Sequence, residues 1–203
     1  MFFLLRLLAA LLLVSVLSPA PEAPADKVQA VPATYLPEAG PARLVIWKSQ
    51  YTVTLYRGDT PVKTFHAVFG RGFADGDKER RGDKRTPEGD FYICTMNHSK
   101  RFYKFMGLSY PDEKHAEQAL RSRLITPAEY FMIKKANEQR QQPPWDTPLG
   151  GAVGIHGRVL NGGAPAQLYT AMNWTDGCIA LDNADIDEIF RNVSIGTPVT
   201  ILP

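Results

Sequence analysis

Gly154-Ile155-His156-Gly157 and Trp174-Thr175-Asp176-Gly177-Cys178-Ile179-Ala180-Leu181 hold between them one of the chain's two cysteines and one of its four histidines. A thiol at neutral pH is mostly protonated, so a cysteine that attacks a carbonyl needs an imidazole within hydrogen-bond reach. His156 is the candidate for that imidazole. Ala152-Val153-Gly154-Ile155 before the histidine and Ile179-Ala180-Leu181 after the cysteine are short apolar runs beside glycines. They predict two strand ends that meet in space, with glycines where a substrate approaches the backbone.

The order of these words resembles the L,D-transpeptidase catalytic domain (YkuD) family, whose signature is His-Gly, a variable loop, then Ser/Thr-x-Gly-Cys-Ile/Val-Arg. The matching residues are His156-Gly157 and Thr175-Asp176-Gly177-Cys178-Ile179-Ala180. Arg85-Thr86-Pro87-Glu88-Gly89-Asp90-Phe91 resembles the family's Thr-Pro-x-Gly-x-Phe segment, Leu108-Ser109-Tyr110-Pro111 its substrate-side strand, and Gly196-Thr197-Pro198-Val199-Thr200-Ile201 its closing strand. Two positions depart from the pattern. Ala180 replaces the signature arginine, as in a Gly-Cys-Ile-Ala-Leu branch, and Asp176 stands where many members carry histidine.

The resemblance implies a mostly β fold with α insertions (α+β), a mixed β-sandwich-like transpeptidase fold with a helical insertion. It implies acyl transfer on peptidoglycan stem peptides, with Cys178 as nucleophile and His156 as base. A thioester would form at the L-centre of diaminopimelate. Backbone N–H groups of Gly177 and Cys178, joined by Asp176, would serve the oxyanion, and the carbonyl of Gly157 would orient the imidazole. Arg158, Trp174 and Tyr110 are the substrate-binding candidates, Arg158 standing in for the absent arginine. The acceptor stays open: a second stem gives a 3-3 cross-link, a lipoprotein lysine gives wall anchoring, and water gives an L,D-carboxypeptidase or amide hydrolase. A non-catalytic wall-binding protein is the alternative of another class.

The rest of the chain sets these residues in a frame. Met1 to Leu17 has one cation, Arg6, before an apolar run from Leu7, which suits a signal peptide over residues 1–25 or an uncleaved anchor. Either implies export to the periplasm or cell envelope, with membrane contact only through that segment. Residues 26–42 form a Pro/Ala-rich linker and residues 43–203 the catalytic domain. The formal charge of +2 carries no nucleic-acid signature, and no paired Cys or His spacing suggests a metal or other cofactor.

Arg43–Lys48 and Tyr51–Tyr56 read as a hairpin about a two-residue turn at Ser49-Gln50, with Val62–Phe69 as a third strand. Gly70–Arg85 carries six cations against four acids and reads as a solvated loop, or as a rim attracting acidic stem peptides. Gly89–Met96 predicts a strand in which Cys94 is a buried small hydrophobe. His66 falls within a strand, His98 in a polar turn and His115 among helix-surface charges. Asp112–Arg123 has helical composition, and Thr126-Pro127-Ala128-Glu129 is a capping box opening a helix to about Gln142, ended by Pro143-Pro144. This insertion is expected to border the active site, as a wall or as packing. Arg158–Thr175 is a groove-lining loop, and Asn183 caps a helix over Ala184–Arg191.

Overall fold

The computed structural model describes residues 40–159 and 168–203. The expected signal segment and most of the linker lie outside the described residues. The first three strands are β1 (Ala42–Trp47), β2 (Thr52–Arg57) and β3 (Thr60–His66). Alternation in β1 buries Leu44 and Ile46, which pair with Leu55 and Val53 of β2. The β1–β2 connection is longer than the two-residue turn expected, because Lys48 and Tyr51 leave the ladder and Tyr51 takes a left-handed φ of 57°.

A single 3-10 turn, Phe73–Asp75, interrupts the long loop before β4 (Gly89–Ser99) and β5 (Tyr103–Leu108). Helices α1 (Glu113–Arg121) and α2 (Pro127–Glu138) follow, then β6 (Gly154–His156), the short α3 (Leu168–Ala171), β7 (Ile179–Ala180), α4 (Asn183–Asn192) and β8 (Pro198–Leu202). The sheet order is β3-β2-β1-β8-β4-β5-β6-β7. β8 runs parallel to β1 and aligns Val199 and Ile201 with Leu44 and Ile46, so one apolar stripe crosses three strands. β4 gives its first half to β8 and its second to β5. Just beyond β3, Val68 exchanges both backbone hydrogen bonds with Ala180, at 2.9 and 2.8 Å, so the two ends of the curled sheet meet.

Several expectations change. β4 runs on through His98 to Ser99, where a polar turn was expected, and turns back as β5. Cys94 sits where the β4–β5 register shifts, with its sulfur 3.4 Å from the Gly107 carbonyl. Burial pushes its thiol up to about 11. Cys94→Ser is expected to lower the melting temperature, because a hydroxyl replaces a half-buried sulfur, and to leave activity per folded molecule unchanged. Paired melting and turnover measurements check this.

α2 has the full capping box about Thr126 and Glu129, and ends at Glu138 rather than near Gln142. The cap of α4 is Asp182, whose side chain accepts from Ala184 N, while Asn183 Oδ1 accepts from Arg158 N. The larger correction is His115. It is 1% exposed, not a surface residue, with Nδ1 on Asp112 at 2.5 Å and Nε2 on Asp77 at 3.0 Å. Asp77 also accepts from the N–H groups of Lys78 and Glu88 and from Lys114, so this cluster ties the 70–88 loop to α1.

Burial works against charge on His115, yet the two carboxylates outweigh it and raise its pKa. Burial also works to raise the Asp77 carboxyl, but His115, Lys114 and the Glu88 N–H hold it well below the usual range. For a raised histidine the stabilisation is complete below the unfolded value of about 6.5 and is lost as pH rises through the folded value. Urea melts from pH 6 upward are therefore expected to show declining stability. The decline should flatten in His115→Gln.

Candidate active site

The parallel β6–β7 register pairs Ile155 with Ile179 and His156 with Ala180. That places Cys178 opposite Gly154, with His156 two residues further along on the same face, so sulfur and imidazole are diagonal neighbours on adjacent strands. Gly154 has no side chain to stand between them. A Cβ there would also meet the Met106 carbonyl at 2.5 Å.

His156 is 1% exposed, and its Nδ1 lies 2.7 Å from the Gly157 carbonyl. A carbonyl only accepts, so Nδ1 carries the proton and Nε2 is left as the basic nitrogen. Phe102 stacks on the ring at 4.2 Å between centroids, and Trp174 meets it edge-on at 5.6 Å. Burial lowers the imidazole pKa to about 4; Arg101 adds to this and the Gly157 bond opposes it.

The sulfur of Cys178 lies 3.6 Å from the Ala152 carbonyl. Cys178 as a whole is half-buried, but enclosure of its sulfur pushes the thiol up to about 11. Asp176 adds to that shift, while a Gly154 backbone bond, Lys78 and Arg101 oppose it. The resting pair is therefore neutral. Both shifts work against a standing thiolate–imidazolium ion pair.

Cys178 opens on a cavity of about 500 Å³ lined by Arg71, Lys78, Arg81 and Lys84 from the long loop, with Asp176 and Trp145. The loop read as solvated, or as a rim attracting acidic peptides, thus supplies four cations to the cavity on which Cys178 opens. Lys78 is buried against Asp83, Arg81 donates to the carbonyls of Trp145 and Thr147 at 3.0 Å, and Arg71 pairs with Asp176. None of the residues of α1 or α2 lines the cavity. The insertion instead backs the loop that does.

The other expected residues fall in several places. Thr175 Oγ1 donates to the Cys178 carbonyl at 2.6 Å and accepts from Gly177 N at 3.2 Å, so the Gly177 N–H has an internal partner. The N–H groups of Asp176 and Cys178 have none among the described residues. Arg158 pairs with Asp182 at 3.6 Å and does not line the cavity. Tyr110 is fully buried, with its hydroxyl 3.4 Å from the Leu149 carbonyl, and belongs to the core. Sequence reasoning passed over Phe102 and Thr175, and it weighed the loop cations only as a group, as solvated charge or as a rim for acidic peptides. Only Thr175 stood inside a recognised word.

The Arg71–Asp176 pair is exposed on both sides, and such pairs are worth up to about 1 kcal/mol. Asp176→Asn is expected to keep turnover within about tenfold, a difference of about 1.4 kcal/mol. Because the Asp176 charge raises the thiol pKa, the substitution should shift thiol alkylation to lower pH. A loss as large as that of Cys178→Ala would assign the carboxylate a chemical role.

No curated protein matches the chain. Among solved structures, the helical cell shape determining protein Pgp2 from Campylobacter jejuni is similar at 18% identity and a TM-score of 0.52, covering 81% of this chain and 48% of that one. An L,D-transpeptidase from Xylanimonas cellulosilytica is similar at 14% identity and a TM-score of 0.44, over 81% of this chain and 62% of that one. This chain thus spans between about half and two thirds of the length of these relatives. Residues 41–201 match the L,D-transpeptidase catalytic domain (YkuD), and the chain belongs to that family.

Proposed function

We propose that this chain is a cysteine acyltransferase acting on peptidoglycan stem peptides. The observation that carries the reading is the opening of Cys178, with its strand neighbour His156, onto a cavity bearing four cations. Stem peptides bring carboxylates to such a cavity. Arg71 and Lys84 are the side chains suited to receive them, and Lys84 has no side-chain partner among the described residues.

The thiol of Cys178 passes its proton to His156 Nε2 as sulfur attacks the carbonyl at the L-centre of diaminopimelate. The oxyanion is met by the Cys178 N–H, a donor type worth about 3 to 4 kcal/mol in other enzymes. Collapse breaks the amide bond, and the imidazolium returns the proton to the departing amine of the terminal D-alanine. A thioester remains. His156 Nε2 then takes a proton from the acceptor, a stem amine, a lipoprotein lysine or water, and a second collapse frees the sulfur. Residues 1–25 would deliver this activity outside the cytoplasm.

Incubation of the chain with disaccharide tetrapeptide, followed by weighing of products, tests the reading and names the acceptor. Loss of D-alanine alone indicates water, and a dimer indicates a second stem. No release of D-alanine by wild type, or release that persists in Cys178→Ala, would overturn it.

A further inference from the structure

Lys78 is 4% exposed, lines the cavity on which Cys178 opens, and stands where a Cβ on Gly177 would come within 4.0 Å of its ammonium. It is a fixed charge. Its Nζ donates to Asp83 Oδ1 at 2.5 Å and to the Arg80 carbonyl at 3.0 Å. Asp83 in turn accepts from the N–H groups of Glu79, Arg80 and Arg85, at 2.8, 3.0 and 3.1 Å. An ammonium has three donors, and the third has no acceptor among the described residues. The ring of Tyr110 lies 5.9 Å from the ammonium. Burying a lysine is costly unless charge and hydrogen bonds compensate it, and here the loop is wound about that compensation.

The geometry points to Lys78 as a positioning residue for the chemistry, a buried cation whose field favours negative charge on the Cys178 sulfur. The inference rests on Cys178 being the nucleophile proposed above. Of the other charges, Arg101 acts on that sulfur in the same sense and Asp176 opposes, while Arg71, Arg81 and Lys84 line the same cavity. His156 faces it as a neutral ring. Asp83, the counter-charge of Lys78, weakens the lysine's field without cancelling it, because Lys78 and not Asp83 lines the cavity. Solvent screens such a buried charge far less than it screens Arg71 or Lys84 at the rim.

The test reads thiolate directly and needs no substrate. In a Cys94→Ser background, the rate of Cys178 alkylation by iodoacetamide is followed from pH 7 to 10, where thiolate changes tenfold per unit of thiol pKa. Lys78→Met with Asp83→Asn removes the buried pair together and should slow alkylation by about three- to tenfold at fixed pH. Asp83→Asn alone keeps the ammonium and removes its counter-charge, so alkylation should quicken. Lys78→Arg should stay near wild type. A residue that only braced the loop would lower the melting temperature and leave these rates alone. Rates unchanged in folded Asp83→Asn, or changed in the opposite sense, overturn the inference even where the double variant fails to fold. Failure of wild type to release D-alanine would instead count against the proposed function, and the two failures are distinguishable.

Discussion

Cys178→Ala is expected to abolish covalent turnover, and the double variant with His156→Ala should be no worse. Once the thiol is gone the imidazole has nothing to activate, so the two losses do not add. His156→Ala alone should lower turnover by orders of magnitude, since Nε2 is the group suited to take the thiol proton. It should also move the alkylation profile of Cys178 down from about 11 toward the ordinary value of about 8.5, because removal of the ring admits water to the enclosed sulfur. The same pair sets the pH profile. Activity requires imidazole unprotonated and thiol protonated, which holds above about 4 and below about 11. A broad plateau in D-alanine release across neutral pH is expected. A profile limb near pH 6.5 would show that burial does not lower the imidazole, and an alkylation profile of His156→Ala that overlays wild type would count against the pairing.

Gly177→Ala is the second large effect. Gly177 has a φ of 131°, and a Cβ there would stand 2.7 Å from the Arg85 carbonyl, a backbone atom with little room to yield. Gly70 closes the other side, where its own Cβ would lie 2.9 Å from the Gly177 Cα. Strain and clash together are expected to cost about 2 to 4 kcal/mol. The turn can relieve the clash only by moving, and displacement of the adjacent Cys178 by an ångström should cost about a hundredfold in turnover. Gly196→Ala separates the two causes. Its φ is also positive, at 91°, but nothing lies within 4 Å, so it should lose stability through strain alone and keep its activity. Equal melting temperatures for the two variants would show that the loop yields and the turn is not gripped.

What was legible in the sequence was local. The β1–β2 hairpin, the capping box at Thr126 and the family's words about His156 and Cys178 announce themselves within a few residues. What was not legible depends on partners far along the chain. His115 looked like one charge among many on a helix surface because Asp77, which buries and charges it, comes from another element. β5 was hidden in Tyr103-Lys104-Phe105-Met106, whose outward lysine reaches Asp187 of α4. Lys78 and Asp83 read as two members of a solvated run, and only the fold turns them toward each other and away from water. Asp182 and Asn183 are both good caps, and composition alone does not say which one the helix takes.

The meeting of Val68 and Ala180 bears on when the protein becomes reactive. β7 is two residues long and takes its neighbours from residue 68 on one side and residue 155 on the other, so no short stretch of chain can form it alone. Closing such distant pairs costs loop entropy that is repaid only once both ends are in place. The strand that follows Cys178 is therefore expected to assemble late in folding, after the first strands and the last third of the chain have found each other. Until then Cys178 is an ordinary thiol, with neither its base beside it nor a cavity in front of it. On the proposed function, a chain still in extended form would carry no acyl-transfer activity, and the chemistry would switch on with closure of the sheet.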